Sequence, residues 1–330
     1  MQVGNTMPSA ETAAKNRETV AAAHPGLLKL ARGPALVVLS IIFVLLGGSF
    51  ASVRASDDSL PGDALYMIKL VSEQTQLALA SSKPEKVRLK VAFTKRRVED
   101  LKTVVEMDEP DQSKKEERVS KAADILKQDL HTLKQQLADV SGGAQTDEDA
   151  RQVAETVKQL DRETVGVLKT LEQTKKEGFG PEVKQKVADA QAQASDVGIK
   201  ALEMLVEARK SEQTGDVVSE EEIGASLAEH AQAAKDSVAE ILLTSSAAST
   251  SSQAEAGSST STDAGLILAK DAENALAEMD ALLLENRTAE AIAKLKEAST
   301  KSFLAQSEAS KILTQEASNA AESSASGTAP

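Results

Sequence analysis

Residues 119–140 read Val119-Ser-Lys-Ala-Ala123-Asp-Ile-Leu126-Lys-Gln-Asp-Leu130-His-Thr-Leu133-Lys-Gln-Gln-Leu137-Ala-Asp-Val140. The numbered apolar positions are separated by alternating steps of four and three. An α-helix turns once in about 3.6 residues, so these side chains form one apolar stripe on a helix. The positions between them are filled mainly by Lys, Gln and Asp, the composition of a solvated face. A strand would need alternation of period two, which is absent.

The pattern extends in both directions. Upstream, Val87, Val91, Thr94, Val98, Leu101 and Val105 form a stripe that breaks at Glu109-Pro110-Asp111. Downstream, Gly142-Gly143 stops the first helix, and Ala150, Val153, Val157, Leu160, Thr164, Val167 and Leu171 make another stripe, ended by Gly178-Phe179-Gly180. Pro181 opens a further helix with Val183, Val187, Ala190, Ala194, Val197, Ala201, Met204 and Ala208. Ser219-Glu220-Glu221-Glu222 has the form of a capping box, leading into Ile223, Leu227, Ala231, Ala234, Val238 and Ile241. The breaks are short, so successive helices are expected to fold back antiparallel. The fold class is therefore all-α, with antiparallel helical hairpins forming either a bundle or an elongated, coiled-coil-like chain.

Composition agrees with long helices. Of 330 residues only 2 % are aromatic, with no Trp, one Tyr (Tyr66) and five Phe. The apolar content comes from Ala, Leu and Val, which predicts packing along seams rather than in a deep globular core. A net charge of −13 argues against nucleic-acid binding, which needs clustered Lys and Arg. The absence of Cys removes disulfides, thiol catalysis and Cys-ligated metals.

From Gly33 to Val53 there is no charged residue, and residues 34–53 are long enough to cross a hydrocarbon layer about 30 Å thick as a helix. On the N-terminal side Lys15, Arg17, Lys29 and Arg32 outnumber Glu11 and Glu18; on the other side Arg54 is followed by Asp57, Asp58 and Asp63. The positive-inside rule then places the N-terminus in the cytoplasm and the rest outside. A retained anchor is preferred to a cleaved signal peptide, because the apolar run exceeds a signal core and about 33 residues precede it.

The expected organisation follows the chain. A cytoplasmic, mostly disordered leader (1–33) precedes a transmembrane helix (34–54) and a first helical domain (57–106). Amphipathic antiparallel helices fill 107–243. A flexible Ser/Thr-rich linker (244–263), a helical hairpin (264–317) with its break near Glu285-Asn286-Arg287, and a disordered tail (318–330) complete it. Within the first domain, Ser59 is the expected N-cap of a helix with Pro61 in its first turn, running to Ala80, and Ser82-Lys83-Pro84 restarts the next.

That first domain carries a recognisable string: Ser59-Leu60-Pro61-Gly62-Asp63-Ala64-Leu65-Tyr66, then Lys69, Leu77-Ala78-Leu79, Pro84-Glu85-Lys86 and Arg96-Arg97-Val98-Glu99. It resembles the bacterial family called domain of unknown function 5667, whose members usually follow a single membrane helix. The chain departs from that family at Met67, where Pro is usual, and at Thr94 and Val98, where Ala and Leu are usual. The resemblance covers about residues 57–105 and implies a bacterial origin and an extracytoplasmic position, but no activity. From the residues themselves the motif reads as architectural: Pro61 and Gly62 set a turn, Asp63 meets the positive end of a helix, and Leu65 with Tyr66 packs on the following helix.

No catalytic constellation emerges. His24, His131 and His230 are scattered and read as helix-surface or leader residues, short of the converging ligands a zinc site needs. The acidic runs Asp147-Glu148-Asp149 and Glu220-Glu221-Glu222 stand at expected helix starts, where carboxylates complement the dipole. Asn286-Arg287-Thr288 matches a glycosylation acceptor by chance spacing. Lys95, Arg96 and Arg97 form the main basic patch outside the membrane, read either as a solvated face opposite the valine stripe or as a dock for acidic helices such as 216–222 or for an anionic envelope polymer.

The reading is a membrane-anchored extracytoplasmic helical protein that acts as an envelope interaction or scaffolding module. It is not an enzyme, uses no cofactor or metal, touches lipid through 34–53, takes a protein or envelope-polymer partner, and is open to homo-oligomerisation. The alternative is a single-pass transmembrane signalling regulator of the anti-sigma kind, suggested by where related outer domains occur.

Overall fold

The computed structural model describes residues 58–140, 146–251 and 259–326. The apolar run 34–53, its flanks, the leader 1–33, Gly142-Gly143 and residues 252–258 and 327–330 lie outside the described residues. Every regular element among those described is an α-helix. In chain order they are α1 (Tyr66–Leu79), α2 (Lys83–Glu106), α3 (Gln112–Val140), α4 (Asp147–Lys176), α5 (Pro181–Lys210), α6 (Glu220–Ser251), α7 (Ser259–Leu284) and α8 (Thr288–Ser326). Among the described residues no helix is long and apolar enough to cross a membrane.

The starts are made by local chemistry. Ser82 Oγ accepts the Glu85 amide and caps α2, with Pro84 in the first turn, where no amide donor is needed. Thr146 caps α4 by accepting the Asp149 amide. At α6 both arms of the capping box form: the Glu222 amide donates to Ser219 Oγ and the Ser219 amide to Glu222 Oε2, each at 3.1 Å. Both acidic runs thus sit in first turns, as expected. The turn between α7 and α8 is made by Asn286, whose φ of 56° is left-handed, a conformation Asn tolerates better than most residues.

Ion pairs report the directions of the helices. Asp124–Lys186, Lys127–Asp189 and Lys134–Asp196 each join residues 62 apart, and a constant offset holds only between parallel helices, here α3 and α5. Lys158–Glu222, Lys169–Glu229 and Lys175–Glu240 climb together in the same way along α4 and α6. Between α7 and α8 the numbers run oppositely, in Lys294–Glu278 and Lys301–Asp271, so that pair is antiparallel. Directions therefore alternate along the chain, as the short breaks require.

Adjacency differs from a chain of hairpins. α3 packs on α2 and α5, while α4 packs on α2, α5 and α6, so α3 and α4 do not pair with each other. α5 is the centre, touching α3, α4, α6 and α8. Its Ala188, Ala190, Ala194, Gly198 and Ala201 are small and buried, letting neighbours approach on every side. Most of the seams expected from composition consequently merge into one core extending from Val87 to Ala298, with Ile241, Ala269 and Ala305 forming a small separate cluster.

Three expected boundaries move. The helix foreseen from Ser59 begins at Tyr66, because residues 60–65 close on themselves: the Leu60 amide donates to Asp63 Oδ2 and the Asp63 amide to Leu60 O. The stretch 244–263 is helical up to Ser251 and again from Ser259, and α8 runs to Ser326, past the expected start of the tail at Ser318. Both stretches are rich in Ala, the strongest helix former, interleaved with Ser and Thr. Lack of an apolar stripe removed the signal for packing without removing helix propensity.

Candidate functional site

The residues of the motif converge on a buried charge network between α1, α2 and α3. α1 contributes Tyr66, Lys69 and Glu73, whose spacing of three and four places them on one helix face. α2 contributes Lys90, Arg97 and Asp100, and α3 contributes Asp129. Arg97 is at the centre and only 1 % exposed. Its Nη1 donates to Asp100 Oδ2 at 2.9 Å, its Nη2 donates to Glu73, and its Nε lies 3.4 Å from Asp129 Oδ2. Lys69 Nζ donates to both Asp100 oxygens at 2.9 and 3.1 Å, and Tyr66 Oη donates to Asp100 Oδ2 at 3.0 Å. Lys90 Nζ donates to Asp129 Oδ1 at 2.5 Å. The Tyr66 ring lies 5.5 Å from Lys69 Nζ and 5.4 Å from Arg97 Cζ, within reach of cation–π attraction.

Charge in this network is balanced: Lys69, Lys90 and Arg97 meet Glu73, Asp100 and Asp129. Burial lifts the Glu73 carboxyl above its usual range, more than the facing Arg97 and Arg96 lower it. Burial also opposes the Arg97 charge, yet Tyr66, Glu73, Asp129 and Asp100 together hold the guanidinium above its ordinary value. The arginine is thus the fixed charge, and the carboxylates are arranged around it. Burial, with Asp100 and Glu73 adding to it, pushes the Tyr66 hydroxyl upward, so it remains a donor.

A second tie precedes the network. Gly62 has a φ of 98°, and this turn presents Asp63 to Arg118 at the start of α3, with Nη1 to Oδ1 at 2.8 Å. Burial alone would raise the Asp63 pKa, but the Leu60 amide and Arg118 outweigh it and hold the carboxyl below its usual range. Pro61 and Gly62 therefore set a turn. Asp63 does not sit at a helix start but braces the turn against α3. Tyr66 packs on α2, whereas Leu65 is exposed.

The basic run Lys95-Arg96-Arg97 does not form one patch. Arg97 points inward; Arg96 lies over the Phe93 ring at 5.4 Å and approaches Glu73; Lys95 is paired with Glu163 of α4. Residues 90, 97 and 100 share a face with Phe93 and Val104, because α2 is covered by α1 as well as by α3 and α4. The acidic residues 216–222 pair instead with α4, through Arg151–Asp216, Lys158–Glu222 and Arg162–Glu222.

His131 is on the surface beside Gln135, whereas His230 is buried, contrary to the surface expectation, and His24 lies outside the described residues. His230 Nε2 is 3.0 Å from Asp161 Oδ1 of α4, and Ser226 donates to the other oxygen of that carboxylate. Beside this pair, a cavity of about 40 Å³ is bordered by Gln191, Ser195, Ser237, Ser299 and Ser302. It has room for water only. An open groove of about 1070 Å³ between α2 and α4 is lined by both signs of charge, Arg88, Arg151 and Arg162 with Glu148, Glu155 and Glu163, and so favours neither. Among the described residues no group of three or more His, Cys, Asp or Glu side chains is placed to hold a metal ion.

No protein-family model matches this chain, and no curated protein or solved structure matches it either. The resemblance to the family of unknown function rests on the quoted motif alone.

Proposed function

We propose that this protein is a membrane-tethered helical module, held on the outer face of a bacterial membrane through residues 34–53 and serving as an interaction or scaffolding part of the envelope. The observation that carries the reading is the Arg97 network. It joins α1, the first helix after the apolar run, to a bundle of long helices through buried ion pairs. Breaking one partner of such a pair leaves an uncompensated buried charge, so α1 is a firm handle rather than a loose leader. A module of this kind transmits position from its anchor to the surfaces of α2–α8. This reading assigns it no reaction.

The absence of Cys makes the test direct. Single variants Asn5→Cys and Lys210→Cys of the full chain are exposed in intact cells to a membrane-impermeant maleimide. Labelling of Lys210→Cys from outside, with Asn5→Cys reached only after lysis, supports the tethered orientation. Labelling of Lys210→Cys only after lysis overturns it. Photo-crosslinking from α6 and α8 in intact cells tests the interaction role, and capture of the monomer alone counts against it.

A further inference from the structure

The outward face of α1 is uncharged, with Gln74, Thr75 and Gln76 exposed beside apolar residues. The helix's only charged residues, Lys69 and Glu73, are buried against the bundle, while Met67, Val71 and Leu79 are exposed at 64 %, 62 % and 78 %. Leu65 at its start is also exposed. No charge lies on the outward face of this helix, in a chain where 27 % of residues are charged. The charge network explains the inward face and leaves the outward one without a structural reason.

We propose that the outward face of α1 lies in the interfacial layer of a lipid bilayer; this rests on the tethered reading above. Two observations select lipid. Twelve residues separate Val53, the last of the uncharged run, from Tyr66, and a chain of that length spans at most about 40 Å when fully extended. The tether therefore keeps α1 at high effective concentration over the surface it would enter. The patch is also small. A helix of 14 residues is about 21 Å long, and one face of it offers on the order of 200 Å², well below the roughly 800 Å² each partner buries in a stable protein interface. Lipid needs no shape complementarity, and an interfacial helix inserts its apolar face only about 5–10 Å deep. Without Lys or Arg on that face, insertion should not need anionic lipid.

Single variants Met67→Cys, Val71→Cys, Leu304→Cys and Leu45→Cys of the full chain, labelled with an environment-sensitive fluorophore, are reconstituted into phosphatidylcholine vesicles with and without doxyl-labelled lipid. The expected result is blue-shifted emission and strong doxyl quenching at 67, 71 and 45, none at 304, and no change at 71 on adding salt. Water-like emission at 67 and 71 with quenching at 45 overturns the proposal and leaves the tether standing. Absence of quenching at 45 removes the tether and the proposal together. A blue shift at 71 that grows with protein density but is insensitive to doxyl lipid assigns the face to a second copy, and equal quenching at 304 assigns contact to the whole bundle. Either outcome overturns the proposal.

Discussion

Gly198 of α5 and His230 of α6 occupy one space: a Cβ on Gly198 would lie 2.2 Å from Cε1 of the imidazole and 2.9 Å from Nδ1. The glycine lets the ring reach Asp161 on α4, so one buried contact ties three helices. Gly198→Ala should destabilise the bundle by about 1–3 kcal/mol, the usual range for overpacking. Adding His230→Ala empties the space, so the double variant should lose clearly less than the sum of the single losses. Urea unfolding of the four proteins measures this coupling, and strict additivity would refute the shared-space account.

Arg97 should be the most sensitive position of the charge network. Arg97→Met leaves Glu73, Asp100 and Asp129 with only the two lysines and the half-exposed Arg96, and loss of one partner of a buried pair costs about 3–5 kcal/mol. The loss should begin locally. Amide hydrogen exchange over residues 66–79 should quicken far more than over α5, because α1 is tied to the bundle chiefly by polar contacts. Unchanged protection of α1 would show that something else secures it.

The parallel pairs should behave differently. Lys127–Asp189, Lys134–Asp196 and Lys186–Asp124 mark the register of α3 on α5 but each is partly open to solvent. Exposed pairs contribute about 0–1 kcal/mol, so Lys127→Ala, Lys134→Ala and Lys186→Ala should each shift thermal unfolding only slightly. A loss comparable to that of Arg97→Met at any of them would contradict this division of labour.

Glu222 gives a pH dependence of defined sign. The Lys158 side chain and the Ser219 amide hold its carboxyl below the ordinary value of 4.5. The folded chain therefore binds this proton less readily than the unfolded chain. The stabilisation is present above pH 4.5 and is lost as pH falls through the lower folded value. The stability difference between the native chain and Glu222→Gln should shrink as pH is lowered below that point, and a difference that widens would reverse the assignment.

Much of this architecture was legible from spacing. The four-and-three steps of Val119 to Val140 gave α3, and Ser82, Ser219 and the Pro110 and Gly178 breaks gave boundaries, because capping and helix breaking are local chemistry. An apolar stripe is no guide where a helix is covered on more than one side. On α2 the stripe from Val87 to Val105 leaves Arg97 on the solvated face, since a charged side chain carries no apolar signal even when its partners are buried with it. Tyr66, Lys69 and Glu73 did show a shared face in their spacing, but their partners on α2, up to 34 residues away along the chain, did not.

By itself the sequence determined that the chain is helical, where most helices begin and end, and that it carries an uncharged run of membrane-spanning length, since propensity, caps and period act within a few residues. The tertiary structure decided which helices are neighbours, that α5 is central, and that α1 turns its charges inward and Met67, Val71 and Leu79 out. Those outcomes depend on partners distant in sequence: the burial of Arg97 is tolerable only because Glu73, Asp100 and Asp129 arrive together, and the ring of His230 fits only because position 198 is empty.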